Sequence, residues 1–87
     1  MDAYIISYDL VKNEDYEPIF EKIKSFGLWA KVVESTWVVV TDLSCIDIRD
    51  GLASVVDSSS RIFVVQSAGA AAWRNSICSN EWLKTNL

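Results

Sequence analysis

An α+β fold in the order β-α-β-β-α-β, followed by a C-terminal tail, is what three features of this 87-residue sequence predict. The chain is 51% hydrophobic and 11% aromatic, with four Trp, three Tyr and three Phe, which is far too apolar for a disordered segment. Four runs are rich in β-branched and aromatic residues, and two stretches between them repeat apolar residues at three- and four-residue spacing. Glycine and proline are scarce, which excludes collagen-like and linker-like material. A chain of this length supports one domain, 1–87, because a separate second core would need roughly 50 further residues.

The elements follow in order. Ala3 to Asp9, reading Ala-Tyr-Ile-Ile-Ser-Tyr-Asp, suits a central strand covered on at least one face. Asn13-Glu14-Asp15 is a turn and helix entry. Tyr16, Ile19, Phe20 and Ile23 then form an apolar stripe, with Glu17, Glu21, Lys22 and Lys24 opposite. Pro18 fits only a first turn, so the helix begins near Asp15 to Glu17, and Gly27 is the expected residue just past its end. Trp29 to Asp42 is too long for one strand and divides into an antiparallel pair around Glu34 to Thr36.

Ser44-x-x-Asp47 has the spacing of a capping box, and Cys45, Ile48, Leu52 and Val55 mark a second helix. Arg61 to Ser67 is a fourth strand after the turn at Asp57 to Ser60. Residues 68–80 are irregular, and Ser79 or Asn80 caps a short terminal helix holding Trp82 and Leu83. This order is the ferredoxin-like arrangement. Right-handed crossovers then set the first and fourth strands side by side and both helices on one sheet face. The other face is left bare, which predicts a homodimer joined sheet to sheet. The tail, 68–87, is expected to cross to the partner or to cover that face, since its Trp73 and Trp82 forfeit burial if left in water.

Histidine is absent, which removes Ser-His and Cys-His nucleophile pairs, imidazole bases and His-ligated zinc. Cys45 and Cys78 are too few for a zinc site and are read as two free thiols. The formal charge is −4, and it is unevenly spread: residues 1–57 carry 11 acidic against 5 basic side chains. An acidic front argues against a broad nucleic-acid surface, which needs clustered Lys and Arg. No apolar run is long enough to span a bilayer and no basic stretch precedes a hydrophobic one, so a cytoplasmic protein without a membrane partner is expected.

A first strand ending Ser7-Tyr8-Asp9-Leu10, a helix closing on Gly27, and Glu34-Ser35-Thr36-Trp37-Val38-Val39-Val40 together resemble a small bacterial and phage family related to the CRISPR-associated Cas-two proteins. The VapD-type toxins share that architecture. The resemblance runs from Tyr4 through Ser67 and more weakly to Trp82-Leu83-Lys84. It implies a homodimer of ferredoxin-like subunits in bacterial or phage defence, with Asp9 holding a divalent metal near the dimer axis. It also implies a metal-dependent endoribonuclease.

From the residues themselves, Asp9 ends a central strand among apolar neighbours, and a carboxylate there needs a reason. Two copies across a dyad present oxygen ligands suited to Mg²⁺, which activates water for phosphodiester attack without histidine. The plainer alternative is a strand-end cap. Contacts to RNA, a nucleotide or another ligand are assigned to Ser7, Tyr8, Lys12, Ser35, Thr36, Arg61 and Arg74. Trp29 and Trp37 are read as core or dimer-interface residues in preference to base-stacking ones. The loop Leu10-Val11-Lys12-Asn13-Glu14-Asp15 pairs one Lys with two acids, which suits phosphate poorly. The acidic balance thus favours a second reading, a non-catalytic dimeric module that sequesters a nucleotide, a nucleic acid or a host protein.

Overall fold

A computed structural model describes residues 1–87. Its elements are β1 (Asp2–Asp9), α1 (Glu17–Lys24), β2 (Leu28–Val33), β3 (Thr36–Thr41), α2 (Cys45–Ala53), β4 (Arg61–Gln66) and α3 (Asn80–Asn86). The four strands form one antiparallel sheet in the order β2-β3-β1-β4, so the chain is α+β with β1 and β4 adjacent.

Central β1 alternates strictly. Tyr4, Ile6 and Tyr8 are buried, whereas Ile5 and Ser7 are half-buried and Asp9 is exposed. Residues paired across a sheet share a face, so Tyr4, Ile6 and Tyr8 lie with Val39 and Trp37 of β3 and with Val64 and Ile62 of β4. On that face they pack with Ile19 and Ile23 of α1 and Ile48 and Leu52 of α2, in one core cluster. Both helices cover one face, as expected. Cys45 packs against the same cluster, and both cysteines are free thiols.

The helix ends follow local chemistry. The capping box of α2 is formed in both directions: the Asp47 N–H donates to Ser44 Oγ at 3.1 Å and the Ser44 N–H to Asp47 Oδ2 at 3.3 Å. Helix α2 stops at Ala53, so Val55 follows it in the turn. Pro18 sits in the first turn of α1, and Lys22 and Lys24 in its last turn complement the negative end of the helix dipole. Gly27 does not terminate α1, which ends at Lys24 with Ser25 as its cap. It stands just before β2 instead, at φ +155°, where an added Cβ would collide with the Val40 carbonyl oxygen. The close approach of β3, which pairs Val40 with Leu28, creates that demand.

The second sheet face is not bare. Ser79 caps α3 by accepting the Trp82 N–H at 3.1 Å, and α3 brings Leu83 to full burial. The segment leading to it leaves β4 with the Ser67 N–H donating to the Ala3 carbonyl at 2.8 Å. It reaches the far edge of the sheet, where the Ile77 N–H donates to the Val32 carbonyl, also at 2.8 Å. Trp73 Nε1–H donates to Asn80 Oδ1 at 3.0 Å and ties the crossing to α3. The tail thus covers its own sheet over β1, β3 and β2. It leaves β4 open, with Phe63 63% and Val65 41% exposed.

Two substitutions test this packing by calorimetry. Leu83→Ala should destabilise by about 2–5 kcal/mol, and Gly27→Ala by about 1–3 kcal/mol through backbone strain. In a domain of this size each kcal/mol lowers Tm by roughly 4–8 °C. A Leu83→Ala protein that melts with the wild type would show that α3 does not hold the second face.

Candidate functional site

At the far end of β1 the strand alternation turns Asp9 away from the helices and onto the second face. The Asp9↔Arg61 register of β1 and β4 sets the guanidinium beside it, and Arg61 Nη1 lies 3.0 Å from Asp9 Oδ2. Both side chains are well exposed, 69% for Asp9 and 84% for Arg61, so the pair is worth at most about 1 kcal/mol. The expectation of an aspartate among apolar neighbours is therefore corrected. Asp9 is a solvated carboxylate whose partner is a cation, and Arg61 is not an isolated surface charge.

Ser7 and Phe63 occupy the next position of the same register, on the same face. Ser7, Asp9, Arg61, Ile62 and Phe63 line a shallow hollow of about 160 Å³. Thr36 Oγ1–H donates weakly to Ser7 Oγ at 3.4 Å, which joins β3 to the group. Ser35 forms the β2–β3 turn with Glu34, and its carbonyl accepts the Tyr8 N–H at 3.2 Å. The Tyr8 backbone borders the hollow, but its side chain points to the core. There Trp37 Nε1–H donates to Tyr8 Oη at 3.1 Å. Its phenol is thus a packing group and not a surface contact. Lys12 is exposed in the β1–α1 loop and Arg74 in the C-terminal segment, and neither shares a hydrogen bond or ion pair with Asp9.

A clasp beside this group has no signature in the sequence. Glu14 Oε1 accepts from Ser60 Oγ–H at 2.6 Å, and Glu14 Oε2 accepts the Asp57 N–H at 2.8 Å. Ser60 Oγ in turn accepts the Val11 N–H at 3.0 Å. These bonds join the β1–α1 loop to the turn before β4 and so fix the approach of Asp9 and Arg61. Glu14 read alone is one more loop acid. Its partner lies 46 residues away.

On the helix side, aromatic rings run from Tyr16 through Phe20 and Trp37 to Trp29, with centroids 5.3–5.8 Å apart. Trp37 is buried and Trp29 is partly exposed. Lys24 Nζ sits 5.0 Å from the centre of the Trp29 ring and Lys31 Nζ 5.1 Å from that of Phe20, so two lysines are engaged with rings.

A divalent metal finds one carboxylate here in a single chain, and Arg61 already pairs with it. No cluster of three or more His, Cys, Asp or Glu side chains forms elsewhere. No helix is long and apolar enough to cross a membrane. No protein-family model matches the chain.

Burial holds the Tyr8 phenol above its ordinary pKa, although the Trp37 hydrogen bond works against this. Tyr4 is shifted the same way, first by burial and then by the nearby Asp2 charge. A folded pKa above the unfolded one leaves stability complete below about pH 10, and stability is lost as pH rises through the folded values. Tm measured against pH should thus be level through neutrality and fall above about pH 10. Tyr8→Phe should start lower, because it strands the Trp37 N–H, but fall less steeply. An alkaline slope identical to wild type would show that Tyr8 carries no part of it.

Proposed function

We propose that the chain is a ferredoxin-like subunit of a homodimer, of the Cas-two-like kind, and that the dimer works as a binding module without catalysis. The element order and the β2-β3-β1-β4 strand order support the ferredoxin-like reading. The observation that carries the dimer is the uncovered β4 portion of the second face, where Phe63 and Val65 stand in water beside half-buried Ile5. A second copy related by a twofold axis buries such a patch against itself. Interfaces of this kind bury on the order of 1,200–2,000 Å² in total.

Among a nucleotide, a nucleic acid and a protein, the surface favours a protein partner. Arg61 pairs with Asp9, Lys24 and Lys31 lie over aromatic rings, and the net charge is −4, which weighs against a broad phosphate-binding surface. A cytoplasmic setting in bacterial or phage defence goes with this reading.

One observation favours a second reading, a metal-dependent endoribonuclease. Asp9 lies on the same sheet face as the exposed β4 residues, so a dimer through that face draws the two Asp9 carboxylates toward its axis. A pair of carboxylates suits Mg²⁺ with retained water, which supplies a nucleophile without histidine.

Sedimentation equilibrium should give twice the 9.8 kDa chain mass at micromolar concentration, and Phe63→Ser should shift the protein toward monomer without unfolding it. A wild type that stays monomeric at high concentration would remove the dimer and the shared-metal reading together.

The binding reading expects no cleavage of single-stranded RNA in Mg²⁺ or Mn²⁺. Cleavage that Asp9→Asn abolishes, with dimer and Tm unchanged, would install the nuclease in its place. Because the Asp9–Arg61 pair is solvated, that substitution should alter stability by no more than about 1 kcal/mol.

A further inference from the structure

Between the second sheet face and the C-terminal segment lies a hollow of about 350 Å³. Its lining includes Ile5 of β1 and Trp73, with the buried Val38 of β3 and Leu83 of α3 beneath. The exposed run Ala70-Ala71-Ala72 lines its rim. The physical reason for the space is side-chain length. The segment is tied to the sheet edge by the Ile77–Val32 hydrogen bond and to α3 by Trp73–Asn80, and between those ties it carries only short alanine side chains.

We propose that this hollow binds a small, neutral, largely apolar molecule, one per chain. Ten of its thirteen lining residues are hydrophobic and none has a charged side chain, so an ionic ligand would leave water without a side-chain counter-charge. The volume falls within the range of small-molecule sites and equals the space of about a dozen waters. Those waters would meet few polar partners and are readily displaced by an apolar occupant. The neutral polar groups of Thr36, Gln66 and Ser67 supply what a single hydroxyl or carbonyl on the ligand needs. The proposal does not depend on the dimer, since every wall comes from one chain.

The neutral fluorophore N-phenyl-1-naphthylamine, which brightens on leaving water, provides the test. It should bind saturably at one site per chain. Its sulfonated relative 8-anilinonaphthalene-1-sulfonate should bind at least tenfold more weakly. Ala71→Leu and Ala72→Leu, both exposed residues on the lining, should fill the hollow and weaken binding tenfold or more while circular dichroism stays native. Phe63→Ser should leave binding unchanged. In the unaltered protein the probe should shift the methyl resonances of Ile5, Val38 and Leu83 and spare that of Ile48, a mapping that needs no variant to fold.

Absence of saturable binding, or methyl shifts centred on Val65, would overturn the proposal. So would unchanged affinity in both leucine variants. Affinity that falls as protein concentration rises would mean that a second copy occupies the hollow, which also overturns it.

Discussion

The whole molecule turns on the two-sided alternation of β1, which is hydrogen-bonded to β3 on one edge and to β4 on the other. Tyr4, Ile6 and Tyr8 must face α1 and α2, so Ile5, Ser7 and Asp9 must face away. A one-residue slip would reverse every one of these assignments and put a carboxylate into the core. The Trp37–Tyr8 hydrogen bond guards against it. It satisfies two buried polar atoms across β1 and β3, and any other register strands both. No buried side-chain polar atom lacks a partner, so the pairing is complete.

Once the helices are committed to the first face, the second becomes the problem that the rest of the chain answers. Its residues are not polar enough for open water: Ile5, Val38, Ala30 and Val65 all share it. A third helix cannot follow β4 directly, because it must land over the opposite side of the sheet. The thirteen residues from Ser67 to Ser79 provide the crossing, and it is tied at its start, its middle and its end rather than left as a free loop. Coverage is still unequal. Leu83 closes the β1–β3 region, the alanines span it without filling it, and β4 is passed by.

Much of this was legible because it is local. β-branched runs marked the strands, Pro18 marked the start of α1, and Ser44-x-x-Asp47 capped α2 as its spacing requires. The turn at Glu34 and Ser35 fell where two strands needed it. What was not legible depends on register and on chain segments that meet late. Gly27 looked like a helix terminator because glycine after a basic last turn commonly is one. Its actual constraint comes from the Val40 carbonyl on another strand. Asp9 was expected among apolar neighbours because its sequence neighbours are apolar, but alternation at a strand end sends it past the reach of α1 and α2. The Glu14–Ser60 clasp and the Asp9–Arg61 pair join residues 46 and 52 positions apart, and no spacing rule reports such contacts.

The absence of histidine gives the assembly question its weight. In a chain with imidazole, one subunit can gather a base and a nucleophile by itself. Here the best-placed oxygen ligand on the second face is a single carboxylate, and its own subunit answers it with Arg61. On the shared-metal reading, catalysis at Asp9 needs a twofold axis near the strand ends and a metal that takes both carboxylates beside their arginines, each of which contacts one oxygen only. The proposed binding module shares the twofold axis but needs no metal, because an apolar ridge and an apolar hollow act through exclusion of water alone. Dimerisation thus serves both readings, and a divalent metal at Asp9 is what separates them.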